Sequence, residues 1–304
     1  MNSITELANP KSRDIDHLST LEIVSIINDE DKTVAAAVSA VLAPIARAVD
    51  LIAERLSAGG HVFYVGTGTS GRLGVLDASE WPPTFGVPTD LARGIIAGGY
   101  DALRCSVEGA EDQAAQGALD LQDAGASGRD VVVGISASGN TPYTVGAVEY
   151  ARAQLAATIG VTCNPDSKLA AAAGISIAPV VGPEVIAGSS RMKAGTAQKM
   201  VLNMLSTGAM IKMGLVYGNL MSNLQAKNEK LRRRALAILV EESGLGADEA
   251  SRIFESAGQD LRLALIMARA GVPLVEAQQL LEAHGGSVRH ALDQHRALDQ
   301  HRER

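Results

Sequence analysis

Short apolar segments alternate with helical stretches between residues 61 and 181, and this alternation limits the chain to few folds. A segment such as Val131-Val132-Val133 is apolar at every position, so a strand there would be buried on both faces. Parallel strands covered by helices have this pattern. The predicted strands are residues 61–65, 130–135, 157–162 and 175–181. The sequence therefore predicts an α/β domain built on a parallel sheet.

Helical patterns surround these strands. Residues 1–20 are polar and predict an arm with little core of its own. Apolar residues at helical spacing predict one helix over residues 33–57, kinked at Pro44. After the strands, the sequence predicts a long apolar helix over residues 191–215 and a charged helix over residues 223–242.

Three short helical stretches follow a glycine-rich boundary at residues 244–246. Each is too short to be stable alone, so together they predict a compact C-terminal unit. The chain then repeats Ala-Leu-Asp-Gln-His-Arg twice, which predicts a frayed or helical tail. The predicted divisions are 1–57 for the arm and first helices, 58–243 for the α/β domain, 244–290 for the three-helix unit and 291–304 for the tail.

The composition excludes several classes of protein. Hydrophobic residues make up 46% of the chain and charged residues 20%, so a packed core is expected and global disorder is not. The net charge of −7 disfavours binding to a nucleic-acid backbone. The two cysteines, Cys105 and Cys163, lack the spacing of a metal site. Without an apolar run of membrane-spanning length or a visible secretory signal, we expect a soluble, cytoplasmic protein.

Three segments rich in Gly, Ser and Thr lie where ligands bind in a parallel α/β sheet, beyond the carboxyl ends of the strands. They cover residues 66–72, 136–141 and 188–196, here called the first, second and third loops. Each combines hydroxyl groups, backbone N–H groups and a helix N-terminus, which can bind a phosphate without much formal charge. A simple helix cap is the alternative for any single loop. Three such loops in one domain favour a phosphate site.

The first loop also matches a dinucleotide-binding pattern, Gly66-x-Gly68-x-x-Gly71. That match alone is weak. The hydroxyl groups that crowd the loop are more typical of a site for a phosphate monoester than of a nicotinamide or flavin site. A P-loop is excluded because the chain contains no Gly-x-x-x-x-Gly-Lys-Ser/Thr.

Two glutamates are candidates for acid–base chemistry. Glu80 lies at the point where Pro82-Pro83 predicts the end of the helix that follows the first loop. Glu111 lies in an acidic segment over residues 107–112. A solvated surface position is the alternative for both side chains, so the residue pattern alone leaves their roles open.

Four long motifs, in order, resemble one family. They are Gly-Thr-Ser-Gly-Arg-Leu-Gly at 68–74, Asp-Ala-Ser-Glu-Trp-Pro-Pro-Thr-Phe-Gly at 77–86, Val-Glu-Gly-Ala-Glu-Asp at 107–112 and Gly-Ser-Ser-Arg-Met-Lys-Ala-Gly-Thr at 188–196. With the N-terminal arm, they are similar to the N-acetylmuramic acid 6-phosphate etherases over about residues 4–290. The resemblance implies a sugar isomerase domain with a parallel five-stranded sheet flanked by helices. It also implies a C-terminal three-helix unit similar to a ubiquitin-associated fold, and a homodimer.

The resemblance further implies a reaction, the cleavage of the D-lactyl ether at C3 of N-acetylmuramic acid 6-phosphate without a metal or other cofactor. By resemblance, Glu80 protonates the departing lactate and later helps to activate water, and Glu111 removes the C2 proton. The acid must then be protonated at neutral pH, which requires burial or a neighbouring charge. For Lys193 a structural role is the alternative to ligand binding. The substrate-binding candidates are Gly68, Thr69, Ser70, Ser136, Ser138, Thr141, Ser190 and Lys193.

Three other functions compete with this one. A phosphosugar-binding regulator would bind the ligand and leave it intact, and an aldose–ketose isomerase would release no lactate. A DNA-binding regulator is disfavoured because residues 241–304 carry 11 acidic and 7 basic side chains. One sugar isomerase domain that retains both glutamates favours the enzyme over the regulator.

Overall fold

The computed structural model describes residues 4–223 and 229–302. The chain divides into two compact units. The first unit contains the residues up to Ser79 together with Thr89–Gly208, and the second contains Glu80–Pro88 together with the residues from Ala209 onward.

The first unit is built on a five-stranded, fully parallel sheet with the order β2-β1-β3-β4-β5. The strand order reverses at β1, because β2 lies on one side of β1 and β3 on the other. Such a switch point opens a crevice beyond the carboxyl ends of the two central strands. The predicted parallel sheet is therefore confirmed. The strands are β1 (Val62–Gly66), β2 (Ala92–Ile96), β3 (Val131–Ile135), β4 (Ala157–Val161) and β5 (Ile175–Ile177).

Strand β2 has no counterpart among the four segments recognised as strands in the sequence. It is an edge strand, and Arg93 in it is exposed, so its apolar signal is reduced to Ile95-Ile96. Gly94 lets the helix that contains Val75 pack closely against the strand, because a Cβ at Gly94 would lie 2.5 Å from the Cα of Val75. Strand β5 is shorter than predicted and ends at Ile177.

Helices surround the sheet. One face of the sheet packs through Phe63, Val65 and Val132 against apolar side chains such as Leu121 and Tyr143. This arrangement is expected for strands that are apolar on both faces. The helices that begin in the first unit are α1 (Thr20–Asp31), α2 (Val34–Ser39), α3 (Leu42–Ser57), α4 (Gly68–Phe85), α5 (Ala114–Asp123), α6 (Pro142–Ala153), α7 (Lys168–Ala172) and α8 (Lys193–Lys212).

The single helix predicted over residues 33–57 is two helices. The segments Thr20–Ser39 and Leu42–Ser57 are bent by 61° with respect to each other. Pro44 lies in the first turn of α3, where a missing N–H donor has no cost. The same proline cannot donate to the carbonyl of Ala40, so the break between the two helices coincides with a helical hydrogen bond that is missing anyway. The proline therefore separates two helices and does not kink one.

The second unit has its own core. Apolar side chains such as Ala250, Phe254 and Leu265 are fully buried in it. Leu239 of the charged helix and Leu292 of the repeated tail are buried in the same core. The three predicted helices are therefore present, whereas their ubiquitin-associated-like identity stays a prediction. The helices of this unit are α9 (Glu229–Ser243), α10 (Ala247–Ser256), α11 (Leu261–Ala270), α12 (Leu274–Ala283) and α13 (Val288–Arg302).

Within residues 4–223 and 229–302, no single helix is both long and apolar enough to cross a membrane. The bent pair Thr20–Ser39 and Leu42–Ser57 passes that test by length and composition when its two parts are taken together.

The charged helix predicted over residues 223–242 is described from Glu229 onward, as α9. Residues 224–228 of that prediction lie outside the described residues.

Candidate active site

The first and second loops leave the sheet side by side at the switch point. Gly66 at the end of β1 pairs in register with Ile135 at the end of β3, so the two loops begin at the same level. Glycine is needed there, because a Cβ at Gly66 would lie 2.8 Å from the amide nitrogen of Gly71. A Cβ at Gly71 would lie 2.7 Å from the carbonyl oxygen of Gly66. The glycines therefore let α4 start directly against the sheet, with its N-terminus beside the crevice.

The second loop is held by its own hydroxyl groups. The Oγ of Ser136 lies 2.8 Å from the Oγ1 of Thr141 and accepts the amide N–H of Gly139 at 3.0 Å. The Oγ of Ser138 accepts the amide N–H of Asn140 at 3.2 Å. Ser136 is buried, whereas Ser138 and Thr141 are half-buried. These bonds fix the positions of the three predicted hydroxyl groups before any ligand binds.

Helix α8 brings the third loop next to the first. A Cβ at Gly195 would lie 3.5 Å from the Cγ2 of Thr69, which is ordinary contact distance. One turn further along α8, the Oε1 of Gln198 accepts the hydroxyl of Ser70 at 3.0 Å. Ser190 is half-buried, and its carbonyl accepts the amide N–H of Gly195. The structure thus places Thr69 and Ser70 of the first loop next to the first turns of α8.

The N-terminus of α8 already holds a carboxylate. The two side-chain oxygens of Glu184 accept the amide N–H groups of Lys193 and Ala194, each at 2.9 Å. Glu184 is fully buried. A negative charge at this position satisfies the free N–H groups and the positive end of the helix dipole. A phosphate is therefore better placed at the N-terminus of α4 than at that of α8.

The side chain of Lys193 forms a buried ion pair with Glu30 of α1. Lys11 and Asn9 donate hydrogen bonds to the same carboxylate, each at 2.8 Å. Burial acts to raise the pKa of Glu30, but hydrogen bonds from Lys11, Lys193 and Asn9 outweigh it and lower the pKa to about 2. In the described structure the Lys193 ammonium is thus engaged by the protein, and its role as a substrate ligand stays a prediction.

Glu111 faces a small cavity next to the first loop. The carboxylate lies in a short 3-10 turn, Ala110–Asp112, and is exposed. The cavity has a volume of about 60 Å³, and Thr67, Gly68 and Glu111 line it. Arg72 lines it too and donates from Nε to the carbonyl of Leu103 at 3.2 Å. One predicted carboxylate therefore adjoins the predicted phosphate loop, with a cation that sequence reasoning did not single out.

Glu80 lies within helix α4, which does not end at Pro82-Pro83 as predicted but continues to Phe85. The two prolines remove two helical hydrogen bonds, yet their φ angles fit a helix. Trp81 is 1% exposed and Phe85 7% exposed, so burial of these rings stabilises the segment. The amide N–H of Gly86 continues the helical pattern by donating to the carbonyl of Pro82 at 2.9 Å.

The end of this helix is also tied down by Asn223, whose Nδ2 donates to the carbonyl of Phe85 at 2.5 Å. Glu80 itself is exposed, so the burial expected for a catalytic acid does not come from the described residues of a single chain. Glu80 belongs to the second compact unit, whereas Glu111 and the three loops belong to the first.

No group of three or more His, Cys, Asp or Glu side chains among the described residues is placed to hold a metal ion.

Known proteins resemble this chain over nearly its full length. The N-acetylmuramic acid 6-phosphate etherase of Symbiobacterium thermophilum is 61% identical over 269 residues, which cover 88% of this chain and 89% of the relative. The corresponding protein of Clostridium botulinum is 52% identical over 289 residues, which cover 95% and 96% of the two chains. This chain belongs to the N-acetylmuramic acid 6-phosphate etherase family. The family inferred from the four motifs is therefore confirmed.

Domain models agree with the etherase fold. A family model of the sugar isomerase (SIS) domain matches residues 111–208. A second family model, of the glucokinase regulatory protein N-terminal SIS domain, matches residues 44–152. A phosphoheptose isomerase structure from Francisella tularensis superimposes with a TM-score of 0.52 at 18% identity, covering 64% of this chain and 100% of the isomerase. This likeness shows the fold alone. The predicted sugar isomerase fold is thus confirmed.

Proposed function

We propose that this protein cleaves the D-lactyl ether of N-acetylmuramic acid 6-phosphate to give N-acetylglucosamine 6-phosphate and D-lactate. The observation that carries the proposal is the 61% identity to an etherase over 88% of the chain. The geometry supports it, because Glu111 and the first loop line one cavity. A phosphate group at the loop would place a bound sugar within reach of a carboxylate.

The 6-phosphate binds, in this proposal, at the N-terminus of α4. The first loop contributes Gly68, Thr69 and Ser70, and the neighbouring second loop contributes its fixed hydroxyl groups. A phosphate monoester accepts hydrogen bonds from such donors, and the helix dipole favours its charge. Ser190 and Lys193 complete the set of proposed ligands.

The chemistry must overcome a poor leaving group, since an unactivated ether does not expel an alkoxide readily. Opening the sugar ring exposes the C1 aldehyde, which acidifies the proton on C2. A base removes that proton, an acid protonates the ether oxygen, and lactate departs by elimination. Water then adds at C3 of the conjugated double bond, and C2 regains a proton. Two carboxyl groups are sufficient for these proton transfers.

We assign Glu111 as the base at C2, because it adjoins the proposed phosphate loop. Glu80 protonates the lactyl oxygen and later helps to activate water. A catalytic acid works best when it is shielded from solvent, so in this proposal substrate or a second subunit covers the exposed Glu80 during the reaction. We therefore also propose that the enzyme works as a homodimer. We further propose that it acts in the cytoplasm, in the recycling of cell-wall amino sugars.

Isotope labelling tests this mechanism. The protein is incubated with N-acetylmuramic acid 6-phosphate in deuterium oxide enriched in ¹⁸O, and lactate and the sugar product are analysed by enzymatic assay and mass spectrometry. Elimination followed by hydration requires solvent deuterium at C2 and solvent oxygen at C3. A sugar that keeps its original C3 oxygen would contradict the mechanism, and an unchanged ligand that stays bound would identify a regulator.

A further inference from the structure

The strongest unexplained feature of the first unit is the amide of Gln198 on α8. Gln198 is 1% exposed, and its Oε1 accepts the hydroxyl of Ser70, which is 8% exposed. The Nε2 atom of the same amide is buried and has no hydrogen-bond partner among the described residues. A buried N–H donor without an acceptor is unfavourable, so this donor needs an explanation.

A 180° rotation of the Gln198 side-chain amide about the Cγ–Cδ bond exchanges the positions of its oxygen and nitrogen. The Nε2 group would then donate to the Oγ of Ser70 over the same 3.0 Å. In the first orientation the Ser70 proton is used inside the protein. In the second orientation Ser70 accepts from Gln198, and its own proton is free to be donated to an anion.

We propose that Gln198 is a positioning residue that makes the Ser70 hydroxyl a hydrogen-bond donor to the substrate phosphate. This proposal rests on the proposed function, in which Ser70 binds the 6-phosphate. Without ligand, Ser70 donates to Gln198; with phosphate bound, Gln198 donates to Ser70 and Ser70 donates to the phosphate. Helix α8 lies beside the first loop, since a Cβ added at Gly195 would be 3.5 Å from the Cγ2 of Thr69, so the amide stays within reach of Ser70 in both states.

Substitution of Gln198 by methionine tests the idea, because the shape is kept and the hydrogen bond is lost. We expect KM for the phosphorylated substrate to rise about 10-fold, as for the loss of one hydrogen bond to a charged group, with kcat little changed. Turnover of unphosphorylated N-acetylmuramic acid should not change relative to the wild type. Gln122→Met, at an exposed position of α5, is the matched control.

A double-mutant cycle separates positioning from a general structural effect. If Gln198 acts through Ser70, then S70A and S70A/Q198M have the same KM. The proposal would be overturned if the two substitutions raised KM independently, so that their effects multiplied in the double variant. It would also be overturned if Q198M impaired turnover of the phosphorylated and the unphosphorylated substrate equally. Gln198→Glu provides a second variant, since a carboxylate can only accept from Ser70 and repels phosphate, so KM should rise further.

Binding of inorganic phosphate keeps this test independent of turnover. Thermal stabilisation of the intact protein by phosphate should require about 10-fold more phosphate in Q198M than in the wild type. If wild-type protein releases no lactate, the proposed function fails, and the phosphate titration still decides on Gln198. If lactate is released normally and the titration is identical in both proteins, the Gln198 proposal alone is wrong.

Discussion

Glu30 and Lys193 form a buried ion pair although 163 residues separate them in the chain. Their side chains are 5% and 2% exposed. The pair fastens α1 to Lys193, which is the first residue of α8 and part of the third loop. Since Asn9 and Lys11 bind the same carboxylate, the pair also links the N-terminal arm to the candidate site.

This ion pair predicts how stability depends on pH. The pKa of Glu30 is lowered from 4.5 to about 2, so the unfolded chain binds more protons than the folded chain in that interval. The contribution of Glu30 is complete above pH 4.5 and is lost as the pH falls towards 2. Urea unfolding of wild type and Glu30→Gln between pH 7 and pH 3 measures it.

Glu30→Gln should lower the free energy of unfolding at pH 7 by about 3 kcal/mol, because it leaves the Lys193 ammonium buried without a countercharge. The difference from wild type should shrink as the pH falls. Lys11→Gln is the matched control, since Lys11 binds the same carboxylate but its side chain is 68% exposed. If both substitutions lowered the free energy of unfolding equally, the stabilisation could not be assigned to the buried Glu30–Lys193 pair.

Gly139 in the second loop should tolerate no side chain. Its φ is +68°, and a Cβ there would lie 2.1 Å from the Oγ of Ser167. We expect Gly139→Ala to lower the free energy of unfolding by about 3 kcal/mol, from both backbone strain and steric conflict. It should also raise KM for the substrate, because the loop must move.

Gly125→Ala serves as the control for Gly139→Ala. Gly125 has a φ of +81°, but no atom lies within 4 Å of the added Cβ, so only the backbone strain applies. That strain should cost about 1–2 kcal/mol and leave KM unchanged. Chemical denaturation and steady-state kinetics on both variants separate the two causes.

The two glutamates should fail at different steps. Glu111→Gln should lower kcat by about 10²–10⁴-fold and abolish exchange of the C2 proton with deuterium oxide, because the base is lost. Glu80→Gln should release almost no lactate but still exchange the C2 proton. Nuclear magnetic resonance of the substrate follows the exchange. Glu108→Gln, three residues from Glu111 and exposed, should behave as wild type. Retained exchange in Glu111→Gln would assign the base elsewhere.

The two cysteines should differ in reactivity. Burial, together with the nearby carboxylate of Glu184, raises the pKa of Cys163 to about 12, so its thiol is neutral at physiological pH. Cys105 is exposed. A thiol reagent at pH 8 should modify one cysteine per native chain and two in urea, as counted by mass spectrometry. Rapid modification of Cys163 in the native protein would show that the strand β4 end is open to solvent.

Local sequence patterns were sufficient for the central strands and the three loops. Strands β1 and β3 are buried at every position, so each leaves an uninterrupted apolar run in the sequence. The loops follow because Gly, Ser and Thr cluster directly after those runs. Strand β2 was not predicted, because an edge strand has one solvated side and a short apolar signal.

Relationships over long sequence separations could not be predicted. Ser70 and Gln198 are 128 residues apart, and neither residue type carries a signal of its partner. The continuation of α4 through Pro82-Pro83 depends on the burial of Trp81 and Phe85, which outweighs the local preference of proline. The roles of Glu80 and Glu111 came from the resemblance of whole motifs, not from their individual positions.

The N-terminal arm is synthesised long before the segment to which it docks. Asn9 donates to the carbonyl of Pro183 across 174 residues, and Ser12 donates to the carbonyl of Val185. At about 5–20 residues per second, translation delivers this docking surface roughly 9–35 s after the arm. Before that, Asn9 and Lys11 can bind Glu30 of α1, but the bonds to Pro183 and Val185 cannot form, so this part of the docking comes late in the folding of the first unit.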